Sequence, residues 1–197
     1  MSVRSLFVTS LYEAALDEAG LLDELAHSIR VLAEDDEAGR QWSREKGYKG
    51  YTSYASLNDL PRRDPIFDDL KRLLTKHAAV FAKDLAWRVK PKLDSLWVNL
   101  LQGGGHHSAH IHPHSILSGT LYVEVPKGSG AIRFEDPRLP MMMAAPMRDE
   151  DAPEELRSFV DIAPRQGLLL LWESWLRHEV RPTVGKGERL SISFNFA

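Results

Sequence analysis

From residue 93 onwards the chain alternates short apolar runs with glycine-containing turns, and this alternation constrains the fold more than any other feature of the sequence. The runs are rich in apolar and β-branched residues, as β-strands are, and Gly-Gly-Gly, Lys-Gly-Ser-Gly and Gly-Lys-Gly segments divide them. Several short strands of this kind predict a sandwich or a jelly roll. The predicted strands span residues 96–101, 117–125, 131–134, 167–172 and 190–196.

The first 92 residues have a pattern that is typical of helices. Two helices are predicted. The later one begins at Asp64-Pro65, because a capping residue followed by proline marks a helix start, and it extends to Phe81. An earlier helix is predicted from apolar residues that recur at helical spacing. These residues are Leu21, Leu22, Leu25, Ile29 and Leu32.

The remaining segments are predicted to be connections or a short strand. Residues 6–11 are apolar enough for a strand, whereas residues 39–63, with scattered glycine, proline and serine, are expected to have little regular structure. The long segment 137–164 interrupts the strand series and is expected to act as a lid or binding loop. We therefore predict one domain over residues 1–197, with a mainly helical portion, 1–92, that packs on a jelly-roll core, 93–197.

Composition excludes several classes of protein. The 197 residues are 43% hydrophobic with a formal net charge of −3, which suits a soluble domain and gives no bias towards nucleic acids or membranes. There is no cysteine, so nitrogen and oxygen must hold any transition metal. The N-terminus lacks the apolar run of a secretory signal, and no stretch approaches the roughly 20 apolar residues of a membrane span. We expect a cytoplasmic protein. It could form a homodimer through an exposed sheet edge or through the helices, and the sequence leaves this possibility open.

Histidines cluster in the middle of the chain, where five of the eight lie between positions 106 and 114. Because residues i and i+2 of a strand point to the same side, His110 and His112 can offer two imidazoles to one metal while Ile111 faces the core. His178, beside a late strand, is the candidate third ligand. Three protein ligands leave positions open for substrate, water or dioxygen. The alternative is an exposed histidine-rich loop that binds metal adventitiously.

The other histidines of the cluster are weaker candidates. Pro113 separates His112 from His114 and disturbs the strand geometry that would align those two side chains. We therefore expect His106, His107 and His114 to support the ligands, to face the substrate or to lie in solvent.

An arginine follows His178 at a distance of eleven residues, beyond a Gly-Lys-Gly turn. This offset places Arg189 on the adjacent strand, with Ser191 two residues later on the same face. An arginine inside a small barrel needs an anion, and its planar fork beside a hydroxyl suits a carboxylate. The alternative is an exposed strand arginine that pairs with a nearby Glu or Asp.

Together, His110-x-His112 and His178-(ten residues)-Arg189-x-Ser191 resemble the His-x-Asp…His-(ten residues)-Arg-x-Ser signature of the Fe(II)- and 2-oxoglutarate-dependent oxygenases. The surrounding phrases His-Ile-His-Pro-His-Ser, Leu-Ser-Gly-Thr-Leu-Tyr-Val and Arg-Leu-Ser-Ile-Ser-Phe-Asn are similar to a bacterial branch of that superfamily. The resemblance covers about residues 95–197. It implies a double-stranded β-helix (jelly roll, cupin-like) with helices packed outside it.

The resemblance also implies roles for particular residues. It assigns Fe(II) to His110, His112 and His178, and it assigns the distal carboxylate of 2-oxoglutarate to Arg189 and Ser191. Tyr122 matches a position whose phenol often supports the same carboxylate, and its alternative is a half-buried strand tyrosine. The implied reaction is the hydroxylation of a small-molecule or peptide substrate of unknown identity.

One residue departs from the family pattern, because His112 stands where Asp or Glu is usual. A neutral imidazole in that position leaves the metal centre one unit more positive. Three-histidine iron sites occur in cupin-type dioxygenases that use no oxoacid. Two alternatives to the oxygenase therefore stay open: a cupin-like metalloenzyme, either a cosubstrate-independent dioxygenase or an isomerase, and a metal-binding protein without catalytic activity.

Overall fold

The computed structural model describes residues 2–16, 18 and 20–197, which form three α-helices and ten β-strands. The helices are α1 (Leu21–Asp35), α2 (Glu37–Glu45) and α3 (Pro65–Asp84). The strands are β1 (Leu11–Ala15), β2 (Gly50–Thr52), β3 (Leu93–Leu101), β4 (His107–His110), β5 (Leu117–Glu124), β6 (Ile132–Glu135), β7 (Phe159–Ile162), β8 (Leu168–Glu173), β9 (His178–Val180) and β10 (Arg189–Phe196).

Two antiparallel sheets form the core of the molecule. The larger sheet has six strands in the order β1-β8-β5-β10-β3-β2, and the smaller has four in the order β4-β9-β6-β7. Neighbouring strands in space are mostly distant in sequence, as in a jelly roll. The predicted fold class, mainly β with flanking helices, is confirmed.

Side chains of the larger sheet alternate between its two faces. On β10, Leu190, Ile192 and Phe194 belong to a fully buried apolar cluster. Arg189 and Ser191 point the other way, into a cavity between the sheets. This period of two follows from strand geometry, and it explains how one strand supplies both core residues and candidate functional residues.

Helices α1 and α3 cover the outer face of the larger sheet. Leu25 and Ile29 of α1, and Leu70 and Leu74 of α3, are fully buried in the apolar cluster that also contains Ile192. Burying a side chain of this size stabilises a fold by about 1.5–3 kcal/mol. The covering helices therefore hold the larger sheet in place from outside and leave its inner face free.

The start of α3 confirms the capping prediction. The side chain of Asp64 accepts a hydrogen bond of 3.1 Å from the backbone N–H of Ile66, and Pro65 occupies the first turn. Both features satisfy or remove N–H groups that a helix end otherwise leaves unpaired.

The predictions for the connections were partly wrong. Residues 6–10 form no strand, and β1 begins at Leu11. The segment 39–63, expected to be irregular, contains most of α2, all of β2 and a short 3₁₀ turn. Asp36 organises it, since its carboxylate caps α2 at Gly39 and accepts a 2.8 Å hydrogen bond from Tyr51. Such a contact between distant residues leaves no local pattern in the sequence.

Beyond residue 93 the structure adds three short strands, β4, β7 and β9, to those that the sequence predicted, and β7 lies inside the segment 137–164. Strands β1 and β2, which come from the first 92 residues, are part of the larger sheet. The organisation as a single domain over 1–197 stays a prediction. None of the helices in the described residues has the length and apolar character that a bilayer-spanning helix needs.

Candidate metal centre

One cavity of about 540 Å³ lies between the two sheets. Both sheets contribute to its lining. The lining includes every residue that the sequence predicted to bind metal or anion: His110, His112, Tyr122, His178, Arg189 and Ser191.

Three histidines converge at one end of this cavity. His110 ends β4 and pairs in register with His178, the first residue of β9. His112 follows β4, and its backbone N–H donates to the carbonyl of Ser174 at 3.0 Å. A nitrogen atom of each ring lies within 4.8 Å of the others, so the three side chains could hold one metal ion.

The residue between the first two histidines does not lie where the sequence predicted. Ile111 is 46% exposed and lines the cavity, so the expectation that it faces the core is wrong. The reason is that β4 ends at His110, and strand alternation does not extend to the next residue.

Oxygen acceptors fix the tautomer of each of the three rings. His110 Nδ1 lies 2.7 Å from the carbonyl oxygen of Ser108, and His178 Nδ1 lies 2.9 Å from that of Leu176. The Nδ1 of His112 lies 2.6 Å from the side-chain oxygen of Asn195. Because these oxygens accept, each Nδ1 carries the proton and each Nε2 keeps its lone pair, which is the tautomer that ligates metal through Nε2.

Two of these rings are also kept neutral by their surroundings. Burial lowers the pKa of His178 to about 3, and the neighbouring His110 contributes to this shift. Burial likewise lowers the pKa of His112 below its ordinary value. Neutral imidazole is the form that binds metal, so these rings need no deprotonation at neutral pH.

Arg189 supplies a buried positive charge in the same cavity. Its side chain is 1% exposed, and one terminal nitrogen donates to the carbonyl of Gly130 at 3.2 Å. Among the described residues no carboxylate forms a salt bridge with it. The alternative of an exposed arginine paired with Glu or Asp is therefore excluded.

Two buried polar atoms lack a hydrogen-bond partner within the described part of the chain, and both belong to residues that line the cavity. They are the Nε atom of Arg189 and the Nε1 atom of Trp172, whose ring centroid lies 4.7 Å from that of His178. Buried polar groups are nearly always paired, and the exceptions call for an explanation. A bound ligand whose oxygen atoms accept hydrogen bonds from these two groups would explain both.

Sequence reasoning missed one polar pair beside Arg189. The Tyr48 hydroxyl lies 2.9 Å from His107 Nε2, and both residues line the cavity. Burial, with the positive charge of Arg189 next in importance, lowers the pKa of His107 to about 3. Tyr48 lies in the segment that was expected to be irregular, so no sequence pattern pointed to it.

The other two histidines of the cluster lie outside the converging triad. His106 is exposed. His114 is also exposed, lines the cavity and adopts a positive φ of 73°.

The sheets and their enclosed cavity define a double-stranded β-helix with a three-histidine cluster inside it. Residues 95–195, just over half of the chain, match the family model described as "Putative 2OG-Fe(II) oxygenase". The chain belongs to the 2OG-Fe(II) oxygenase family. A search of curated proteins gives no match.

Solved structures of similar fold support the architecture. A prolyl-4-hydroxylase from Pseudomonas putida is 18% identical with a TM-score of 0.64, over 95% of this chain and 92% of that chain. The epimerase SnoN, crystallised with Fe³⁺, α-ketoglutarate and nogalamycin RO, is 16% identical with a TM-score of 0.66, over 95% and 78%. HygX from Streptomyces hygroscopicus, with nickel and 2-oxoglutarate, is 14% identical with a TM-score of 0.60, over 96% and 82%.

Family membership confirms the predicted class, cofactor and cosubstrate. The protein is an oxygenase that depends on Fe(II) and 2-oxoglutarate, and its substrate is unknown. The donor set fits both groups, because imidazole nitrogens suit iron and a buried unpaired guanidinium suits a dicarboxylate.

Proposed function

We propose that His110, His112 and His178 hold Fe(II) through their Nε2 atoms. The support is their convergence within 4.8 Å and the acceptor beside each Nδ1. Imidazole is a common ligand of iron, and an oriented tautomer raises its affinity for metal.

Arg189 is the anchor for the distal carboxylate of 2-oxoglutarate, with Ser191 and Tyr122 beside it. One observation carries this assignment: a guanidinium that is 1% exposed has no carboxylate partner among the described residues and shares a cavity with the three histidines. An unpaired buried charge is costly, and a bidentate carboxylate would satisfy it. Ser191 follows on the same face of β10, and the Tyr122 ring centroid lies 5.7 Å from the guanidinium carbon.

The proposed reaction is the hydroxylation of a C–H bond in a small-molecule or peptide substrate, in the cytoplasm. With Fe(II) and 2-oxoglutarate bound, dioxygen would be the oxidant: one of its oxygen atoms would enter the new hydroxyl group and the other would enter succinate, with release of CO2 from 2-oxoglutarate. The residues of this chain anchor the oxoacid, orient the three rings, keep His112 and His178 neutral, and exclude bulk water from the buried end of the cavity.

Succinate formation tests this proposal without knowledge of the substrate. Wild-type protein given Fe(II), 2-oxoglutarate and air should form succinate slowly. His178→Ala and Arg189→Met should reduce the rate to the level of free iron. His106→Ala, which alters an exposed histidine outside the triad, is the matched control and should retain the wild-type rate. Equal rates in all four proteins would overturn the proposal.

A further inference from the structure

A row of aromatic rings leads from the surface to the histidine triad. The ring of Trp42, on α2, lies 6.2 Å from that of Tyr54, which follows β2, and Tyr54 lies 5.2 Å from Trp97 on β3. Trp97 in turn lies 6.1 Å from His112. All four residues line the cavity, so the row forms one continuous wall of it.

Exposure changes along this wall. Trp42 is half-buried and Tyr54 is 52% exposed, whereas Trp97, next to His112, is only 7% exposed. The planes of successive rings are inclined at 57° and 68° to each other. Because the rings do not stack face to face, they leave part of each other's surface uncovered. Exposed aromatic surface that continues into a cavity marks a binding site for an apolar or planar group.

The charge of the cavity argues against a cationic substrate group at these rings. None of the described lining residues is Asp, Glu or Lys, and Arg189 is the one with a permanent charge. In the proposed complex, Fe(II) balances the dianionic oxoacid, and neutral His112 contributes no negative charge where a carboxylate is usual. Arg189 pairs with the oxoacid, and the site as a whole then carries one net positive charge, which repels a cationic substrate group.

We propose that the substrate group that enters this cavity is an uncharged aromatic ring, held against Trp97, with Tyr54 and Trp42 extending the contact to the surface. This inference rests on the proposed function, because it places the ring beside the proposed iron ligand His112. The cavity of about 540 Å³ must hold the oxoacid as well, so any larger substrate extends outwards past Tyr54.

Three probes of matched design test the chemical class. Oxygen-free protein with Fe(II) and 2-oxoglutarate is titrated with N-acetyltryptophan amide, N-acetylleucine amide and tetramethylammonium, and binding is followed by ligand-observed NMR. The aromatic amide should bind about 2- to 10-fold more tightly than the leucine amide, since aromatic rings in contact stabilise a complex beyond the area that they bury. Tetramethylammonium should not compete with it.

Substitutions in the aromatic wall test which of its residues contact the bound ring. Trp97→Leu should weaken binding of the aromatic amide about tenfold, and Trp97→Phe should restore most of it. Tyr54→Ala, at an exposed position where folding is not at risk, should weaken it severalfold. The control is Trp175→Leu, because Trp175 is 47% exposed and does not line the cavity.

Three results would overturn the inference: equal binding of the leucine amide, tighter binding of tetramethylammonium, or no effect of Trp97→Leu and Tyr54→Ala. Binding of Fe(II) and 2-oxoglutarate is measured in the same samples. Protein that binds both but not the aromatic amide would contradict this inference alone, whereas protein that binds neither would contradict the proposed function as well.

Discussion

His112 and Asn195 are 83 positions apart in the sequence, yet His112 Nδ1 lies 2.6 Å from Asn195 Oδ1. The hydroxyl of Ser118 donates to the same oxygen at 2.9 Å. This second bond orients the amide so that its oxygen faces the ring. Strand β10 therefore sets the tautomer of a histidine that follows β4.

Asn195→Leu removes the acceptor and should lower the affinity for Fe(II) about 10–100-fold, which is typical for loss of a group that orients a metal ligand. Asn195→Asp keeps an acceptor and should retain the affinity. Calorimetric titration with Fe(II) under nitrogen measures both. A leucine variant that binds iron like wild type would contradict the role of this contact.

Arg189→Met should stabilise the ligand-free protein while it removes the response to 2-oxoglutarate. Replacing a buried charge by an apolar side chain relieves its desolvation cost, and we expect a gain of about 1–3 kcal/mol in the free energy of unfolding. Wild-type protein should gain about 2.7 kcal/mol when the oxoacid is present at 100 times its Kd, and the variant should gain nothing.

Urea unfolding with and without 2-oxoglutarate measures these changes. Arg133→Met is the matched control, because Arg133 pairs with Asp161 at 2.7 Å on the outside of β6. It should keep the wild-type response to the oxoacid. Destabilisation of ligand-free Arg189→Met would indicate that the guanidinium already has an adequate partner.

Acid should destabilise the metal-free protein through its buried histidines. The pKa values of His107 and His178 are both lowered to about 3, so between pH 6.5 and 3 the unfolded chain binds protons that the folded chain does not. Stability therefore falls as the pH falls through this window, by up to about 1.4 kcal/mol per pH unit for each ring.

His107→Gln should remove one of these two contributions and make the decrease in stability between pH 6.5 and 5 less steep. His106→Gln, at the exposed neighbouring position, should leave the slope unchanged. Urea unfolding at several pH values gives the slopes. Identical slopes for His107→Gln and wild type would contradict a neutral, buried His107.

Tyr122→Phe should weaken binding of 2-oxoglutarate about 10- to 100-fold, since a hydrogen bond to a charged group contributes about 1.5–3 kcal/mol. The variant keeps the ring, which lies 5.7 Å from the guanidinium carbon of Arg189, and removes only the hydroxyl. Tyr12→Phe is the control, because the Tyr12 hydroxyl bonds His77 outside the cavity. Unchanged affinity for 2-oxoglutarate in Tyr122→Phe would contradict a contact between the Tyr122 hydroxyl and the oxoacid, and Tyr122 would then contribute only packing.

The strands that could be predicted from the sequence are those with a local signal. Strands β5, β8 and β10 are long apolar runs, and the alternation along β10 correctly placed Arg189 and Ser191 on one face. By contrast, β4 and β9 are four and three residues long, and their pairing joins His110 to His178. Such pairs depend on chain segments that are distant in sequence.

The same distinction applies to the candidate site. Spacing alone brought His110 and His112 together, because two residues on one short segment need no knowledge of the fold. The aromatic wall could not be predicted, since Trp42, Tyr54 and Trp97 come from separate elements and become neighbours only when β2 pairs with β3. The contact of Asn195 with His112 depends on the fold in the same way, because the partner of an amide on a strand is known only when the strands are assembled.

The measurement that tests the central claim most directly is an anaerobic titration of the protein with Fe(II) and 2-oxoglutarate, followed by visible absorption. The claim is that three Nε2 atoms and the Arg189 guanidinium form a single site. Wild-type protein should then develop a metal-to-ligand charge-transfer band at one equivalent of iron. His178→Ala should give no band and bind no iron, and Arg189→Met should bind iron without the band at the same oxoacid concentration. Absence of the band in wild type, or its persistence in both variants, would contradict the account.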